Sequence, residues 1–327
     1  MPILVQGANI LMFKDLKQKI KGPVFSIITP FKDDESVDYL SLKNYVNFLY
    51  ENGARIFYVM AYNSRFSLLS DYEILKVNET VTSTVKSFND DSCVTIVADP
   101  LHCSTETSIE FAKHAESIGA DVISLIFREK VYFEDQVFQH YKKVSENCSV
   151  GILIHQMPLN NGIPGQPPTI RWSCDLTSKI ADLPNVVAIK EDTKDDDYTE
   201  LMIETLRDRL AIITSGKGMK QWLRLDGKAH GFLSGIGCFC PQLEIDVFKS
   251  FNNGDIDRCQ SIIDKIEIPF DKVIYKYGWH LGIKSALDCM GIMSRKERMP
   301  LIQLAQDCHE NICDKMDSIK KSIEELV

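Results

Sequence analysis

The chain has 327 residues, of which 44% are hydrophobic and 25% are charged, a balance that is typical of a folded protein with a sizeable core. Its formal net charge of -9 argues against nucleic acid as a partner, because binding to phosphate backbones requires clustered lysine and arginine. The sequence has no apolar segment of the roughly 20 residues that span a membrane and no secretory pattern at its N-terminus, so we expect a cytoplasmic protein that binds a small metabolite.

Short apolar runs recur along the chain and predict strands. The runs are continuous and not alternating, as is typical of parallel strands that are buried on both faces. Eight strands are predicted, over residues 24–29, 56–61, 94–98, 122–126, 150–155, 186–190, 211–215 and 231–234.

Helical patterns lie between these runs, for example over residues 40–51, 107–117, 138–146 and 201–210, and Gly53 and Gly119 mark two helix ends. Eight βα units in about 250 residues predict a (β/α)8 TIM barrel. A doubly wound sheet would instead need a glycine-rich phosphate turn after the first strand, where this sequence reads ITPFKDDES.

Three parts of the chain are predicted from these patterns. Residues 1–21 form an N-terminal helical segment, residues 22–240 form the barrel, and residues 241–327 form C-terminal helices packed on it. Ser294 to Glu297 can be read as a capping box before the last helices. The ten cysteines are scattered, and those in apolar patterns, such as Cys289, are expected to be reduced core residues.

Lys190 closes the predicted strand VVAIK, which places its amine in the barrel mouth, where catalytic groups of TIM barrels lie. Burial there would lower the pKa of the amine and leave it free to attack a carbonyl group. The alternative is a structural lysine that is ion-paired with Glu191 or Asp192, and the pattern alone leaves both interpretations open.

His155 ends the neighbouring strand and would face the same mouth as Lys190. An imidazole can both donate and accept protons near neutral pH, so His155 is a candidate acid-base group, although a buried histidine is more often structural.

Loops after several strands supply candidate substrate-binding residues. Tyr62, Asn63 and Ser64 can donate hydrogen bonds, and Arg65 or Arg128 can hold a carboxylate in a bidentate fork. Glycine-rich turns that contain Gly216, Ser234 and Gly235 follow the last two strands and suit an anionic group. Loop solvation, interface ion pairs and tight turns are the alternative explanations for these residues.

The chain resembles the dihydrodipicolinate synthase and N-acetylneuraminate lyase superfamily over roughly residues 22–305. The segments that carry the resemblance are GPVFSIITPF, LPNVVAIKE, ITSG, HGFLSGIGCFCPQL and GIKSALDCMGI. The resemblance implies that Lys190 is the Schiff-base residue of a class I aldolase-type lyase or synthase that acts on a 2-oxo acid. It also implies no metal, no organic cofactor and a homo-oligomer, either a dimer or a tetramer.

Three segments depart from the pattern of this superfamily. The usual Gly-Thr-Thr-Gly-Glu loop reads Ala-Tyr-Asn-Ser-Arg over residues 61–65, His155 replaces the tyrosine of the Tyr-Asn-x-Pro segment, and Arg128 and Glu129 replace an aromatic pair. We therefore expect a divergent lyase, synthase or dehydratase that acts on a 2-oxo acid or a related small carbonyl compound. The alternative is a family member that binds a metabolite or partner without turnover. A metal-dependent enzyme is disfavoured, because the seven histidines form no His-x-His or His-x3-His pair.

Overall fold

A closed ring of parallel strands forms the centre of the molecule. The structure is a computed structural model, and it describes residues 12–126, 133–156 and 172–326. The strands are β1 (Gly22–Pro23), β2 (Phe25–Ser26), β3 (Ile56–Tyr58), β4 (Val94–Ala98), β5 (Val122–Leu125), β6 (Gly151–Gln156), β7 (Val186–Glu191), β8 (Ala211–Ser215) and β9 (Gly231–Leu233). Every strand pairs in parallel with its neighbours, in the order β1-β9-β8-β7-β6-β5-β4-β3-β2.

The first barrel strand is divided into two parts, which closes the ring. β1 pairs with β9 and β2 pairs with β3. Between them the Val24 amide donates to the carbonyl oxygen of Phe232 at 2.9 Å, so the chain changes from one neighbour to the other at this residue. The predicted (β/α)8 barrel is therefore confirmed, although its first strand begins earlier than predicted, at Gly22, and ends at Ser26.

Helices alternate with the strands and surround them. They are α1 (12–19), α2 (Tyr39–Glu51), α3 (Asp71–Ser87), α4 (Thr105–Ser117), α5 (Glu134–Ser145), α6 (Cys174–Ala181), α7 (Asp196–Leu206), α8 (Gly218–Arg224), α9 (Pro241–Asn252), α10 (Ile256–Ile262), α11 (Ile268–Lys276), α12 (Trp279–Cys289) and α13 (Gln306–Glu324), with a π-helical turn (Ile263–Glu267) joining α10 to α11. None of these helices combines the length and apolar character that crossing a bilayer requires.

Local sequence signals explain where several helices begin and end. Ser70 and Glu73 form a reciprocal capping box at the start of α3. Gly53 and Gly119 follow α2 and α4 with φ angles of 95° and 75°, the left-handed conformation that favours glycine after a helix. The capping box predicted at Ser294 to Glu297 is wrong, because residues 294–298 are not helical and Glu297 is buried in an ion pair.

Two hydrophobic clusters fill the molecule. The inner cluster lies within the ring of strands, and α1 contributes Phe13 and Leu16 to it, so the N-terminal helix packs against the barrel interior. The outer cluster lies between the strands and the surrounding helices, as expected when both faces of each strand are buried.

The barrel extends further along the chain than the predicted boundary at residue 240. α9 follows β9 and packs against β1, and it thereby supplies the eighth helix of the barrel. The later helices α10 to α13 form the C-terminal extension. Cys289 at the end of α12 and Cys313 in α13 form a disulfide, which corrects the expectation that Cys289 is reduced. The two cysteines are 24 residues apart, so their meeting depends on the packing of two helices.

Candidate active site

Lys190 lies near the carboxyl end of β7 with its side chain wholly buried. β6 and β7 pair in a register that places His155 opposite Lys190. The Lys190 Nζ atom lies 3.1 Å from His155 Nε2 and donates a hydrogen bond to Asp192 Oδ2 at 2.7 Å. The structure therefore brings the two predicted catalytic side chains into contact, and it adds Asp192 as an ion-pair partner of the amine.

Burial and charge have opposite effects on the Lys190 amine. Burial lowers the pKa of Lys190 below its ordinary value, while the Asp192 carboxylate raises it. Burial by itself would raise the pKa of Asp192, but the charge of Lys190 holds it well below its usual range. Asp192 is therefore an ionised hydrogen-bond acceptor, next to an amine that loses its proton more easily than an exposed lysine.

A chain of polar groups continues from His155 into the barrel. The Tyr58 hydroxyl lies 3.4 Å from His155 Nδ1 and 2.6 Å from the Ser124 hydroxyl. Burial raises the pKa of Tyr58, so its phenol keeps its proton and can donate it in a hydrogen bond. Sequence analysis missed Tyr58 and Ser124, since both lie inside apolar runs. The available signal was their inward-facing position in strands that point toward the same mouth.

A cavity of about 230 Å3 opens beside Asp192 at this end of the barrel. Its lining includes five of the predicted substrate-binding residues, which are Tyr62, Asn63, Gly216, Ser234 and Gly235. Among the described residues, Asp192 is in the lining while Lys190 and His155 are not, which places the amine behind the Asp192 carboxylate. Arg128, a further predicted binding residue, and Glu129 lie outside the described residues.

The loop at residues 61–65 divides into a part that faces the cavity and a part that supports it. The Tyr62 ring stacks on the His280 ring, with centroids 6.4 Å apart. Asn63 donates to the Ser26 hydroxyl at 2.9 Å and accepts from the Trp279 indole at 3.2 Å. These contacts attach the loop to the N-terminus of α12.

Ser64 and Arg65 lie beneath the cavity and do not line it. The Ser64 hydroxyl donates to the Ile27 carbonyl oxygen at 2.7 Å. Arg65 is 2% exposed, pairs with Glu297 at 2.7 Å and also contacts His280. The prediction that Arg65 holds a substrate carboxylate is corrected on these contacts, because a carboxylate of the chain already occupies its guanidinium group.

The glycine-rich turns also contact carboxylates of the chain itself. Glu267 accepts hydrogen bonds from the Met219 and Lys220 amides at the start of α8 and from the Ser234 hydroxyl. Glu244 accepts from the Gly237 amide at 2.5 Å. Burial raises the pKa of Glu267 to about 7. The turns that were predicted to bind an anionic group therefore donate to carboxyl groups of the chain itself, which come from α9 and the π-helical turn.

The C-terminal helices form one wall of the cavity, which sequence analysis did not foresee. α11 contributes Asp271 and Tyr275, and α12 contributes Trp279 and His280. The Tyr275 hydroxyl donates to the Gly216 carbonyl oxygen at 3.2 Å, and Asp271 pairs with Lys220 at 3.1 Å. No nearby sequence motif marks these residues, because they reach the cavity only after the helices have packed on the barrel.

Comparisons of this chain with family models, with curated proteins and with solved structures all lead to the same family. The model of the dihydrodipicolinate synthetase family matches residues 19–319. A 4-hydroxy-tetrahydrodipicolinate synthase from Psychrobacter sp. is 25% identical over 304 residues, which cover 92% of this chain and 95% of the relative. Dihydrodipicolinate synthase from Oceanobacillus iheyensis superposes with a TM-score of 0.80 at 20% identity, covering 96% of this chain and 99% of its own. The dihydrodipicolinate synthase from Acinetobacter baumannii, crystallised with pyruvate, superposes with a TM-score of 0.79 at 23% identity, covering 92% of this chain and 99% of its own.

Proposed function

Because the chain belongs to the dihydrodipicolinate synthetase family, we propose that it is a class I aldolase-type lyase or synthase that acts on a 2-oxo acid or a related small carbonyl compound. Lys190 is the proposed nucleophile, and it forms a Schiff base with that carbonyl. The observation that carries this proposal is the buried Lys190 amine 3.1 Å from the His155 ring at the carboxyl end of the barrel. The pyruvate bound by the Acinetobacter relative makes 2-oxo acids the first class to test.

The neighbours of Lys190 support each step of Schiff-base formation. The neutral amine attacks the carbonyl carbon, and the carbonyl oxygen takes up a proton to give a carbinolamine. His155 is placed to donate the proton that allows water to leave, and it can then accept a proton from the adjacent carbon. Asp192 lies where its negative charge stabilises the positively charged iminium group that results.

Borohydride trapping tests this proposal directly. The protein is incubated with each of a panel of 2-oxo acids and small ketones, reduced with borohydride and digested for mass spectrometry. We expect a reduced adduct on the peptide that contains Lys190 and its loss in Lys190→Met.

Lys284 provides an internal control in the same digest. It is also a buried lysine, and burial lowers its pKa to about 7, but its amine donates to the Thr29 carbonyl oxygen and lies 3.8 Å from Glu297. An adduct on Lys284 in place of Lys190, or no adduct with any compound, would contradict the proposal. Ligand binding of equal strength in Lys190→Met and the unmodified protein would favour binding without turnover.

A further inference from the structure

Asp192 lines the cavity, and one of its two carboxylate oxygens has no hydrogen-bond donor in the described part of the chain. Its Oδ2 atom accepts from Lys190, whereas its Oδ1 atom is buried without a hydrogen-bond partner. The residue is 6% exposed and lines the cavity. A buried carboxylate oxygen without a donor is costly, so a ligand that supplies a donor to Oδ1 would gain binding free energy.

We propose that Asp192 Oδ1 binds a hydroxyl group on the carbon next to the substrate carbonyl, so that the site selects an α-hydroxy ketone or aldehyde over a 2-oxo acid. This inference rests on the proposed Schiff-base function and narrows its substrate class. It assigns Asp192 to substrate contact as well as to the ion pair with Lys190.

The position of the reacting bond supports this assignment. The substrate carbonyl carbon must bond to Lys190 Nζ, which lies 2.7 Å from Asp192 Oδ2, and a carbon-nitrogen bond is less than about 1.5 Å long. The carbonyl carbon therefore lies close to the Asp192 carboxylate, and one of its two substituents can be directed toward that carboxylate. A hydroxyl group there can donate to Oδ1, whereas a carboxylate there would place two like charges side by side in a buried site.

The surrounding charges favour the same substituent. Two sites that the sequence offers for an anion already hold carboxylates of the chain, since Glu297 occupies Arg65 and Glu267 occupies the start of α8. Lys194 contributes a cation to the described lining, and its charge already acts on Asp192, whose pKa it lowers. A substrate carboxylate would therefore have to share Lys194 with Asp192.

The covalent step balances without a further reactant. The Lys190 nitrogen forms a bond to the carbonyl carbon, and the oxygen of that carbonyl leaves as water after it takes up two protons, one from the amine and one from His155. The product is an iminium ion, which borohydride reduces to a secondary amine by hydride transfer. The hydroxyl group next to the carbonyl keeps its oxygen and donates only a hydrogen bond.

Three methyl ketones that differ in a single substituent test the inference. Hydroxyacetone carries a hydroxymethyl group, pyruvate a carboxylate and butanone an ethyl group at the same position. Each is trapped on the protein with borohydride, and the rate is divided by the rate with N-α-acetyl-lysine to remove the intrinsic reactivity of each carbonyl. We expect the corrected rate for hydroxyacetone to exceed that for pyruvate and for butanone at least about tenfold, the loss expected when a buried polar group is left unpaired.

Asp192→Asn removes the charge at nearly constant shape, and we expect it to raise the corrected pyruvate rate relative to hydroxyacetone by at least about tenfold. Asp192→Ser is the second variant if the first is poorly folded. Asp182→Asn is the matched control, because Asp182 is an exposed carboxylate that is paired with Arg209 outside the cavity lining. We expect this control to leave the ratio of the corrected pyruvate rate to the corrected hydroxyacetone rate unchanged.

A corrected pyruvate rate equal to or above that of hydroxyacetone in the unmodified protein would overturn the inference, as would an unchanged ratio in both Asp192 variants. Failure to trap any of the three ketones would instead count against the Schiff-base proposal itself. The two failures are therefore distinguishable.

Discussion

The reactivity of Lys190 depends on whether its amine carries a proton. Burial favours the neutral form and Asp192 favours the charged form. A nucleophilic amine must be neutral, so the group that binds substrate through one oxygen also restrains the nucleophile through the other. Asp192 therefore links the choice of substrate to the pH at which the site reacts.

The pH dependence of Schiff-base formation tests this link. The rate should rise with pH and level off above the pKa of Lys190, which burial places below the ordinary value of 10.5. Asp192 raises this pKa, so Asp192→Asn should move the midpoint of the profile to lower pH. Initial rates of imine formation across neutral and alkaline pH provide the measurement, with Asp182→Asn as the control. A midpoint that moves to higher pH, or does not move, would show that Asp192 does not act on the amine in this way.

Sequence analysis located Lys190 and His155 because each ends an apolar run, and the ends of adjacent parallel strands meet at one edge. It could not find Tyr58, whose hydroxyl contacts a histidine 97 positions away in the chain. It also misassigned Arg65, because a sequence shows that an arginine can bind a carboxylate but not which carboxylate is nearest.

At the scale of elements, a buried ion pair joins the 61–65 loop to the segment after α12. Arg65 has a φ angle of 64°, and Glu297 is 3% exposed. Arg65 also contacts both the ring nitrogen and the carbonyl oxygen of His280 at the start of α12. This pair therefore supports two sides of the cavity at once.

Substitution of one member of the Arg65–Glu297 pair should lower the free energy of unfolding more than substitution of both members. Arg65→Met leaves the Glu297 charge buried beside Lys284 alone, and we expect a loss of about 3–5 kcal/mol in the free energy of unfolding. The double substitution Arg65→Met with Glu297→Met should recover most of this loss, since Lys284, with a pKa of about 7, can then remain neutral. Denaturant unfolding measures the free energy of unfolding of the single and the double variant. A double variant no more stable than the single one would contradict this account.

The alternation of strands and helices could be predicted, because repeated apolar runs and glycines at helix ends are local signals in the sequence. The division of the first strand at Val24 could not be predicted, because it reflects hydrogen bonds to β9 and β3, which are far apart in the chain. The same limit applies to α9, whose role as the eighth barrel helix depends on its packing against β1.

At the scale of the whole molecule, the cavity is shared between the barrel and the C-terminal extension. α13 buries Ile312, Met316 and Ile319 against the rest of the molecule, and it packs on both α11 and α12. Those two helices carry the cavity wall. The position of the wall therefore depends on a helix that does not itself reach the cavity.

Two buried methionines allow this dependence to be tested. Met316 in α13 and Met202 in α7 are both completely buried. Each substitution by alanine should cost about 2–5 kcal/mol of stability, measured by denaturant unfolding. We expect only Met316→Ala to raise the carbonyl concentration needed for half-maximal trapping at Lys190, because Met202 lies in α7, which packs on α6 and β8, whereas α13 packs on α11 and α12. Equal effects of both substitutions on trapping would show that α13 has no special connection to the site.

The shared cavity also affects how the substrate range of this protein can change. Lys190, His155 and Asp192 lie on or next to β6 and β7, whereas Tyr275, Trp279 and His280 come from helices later in the chain. Mutations in α11 and α12 can therefore alter the shape of the pocket while the chemical groups and the strands that hold them stay unchanged. The chain keeps its reaction machinery and one wall of its cavity in separate stretches of sequence, and directed evolution can vary that wall by itself.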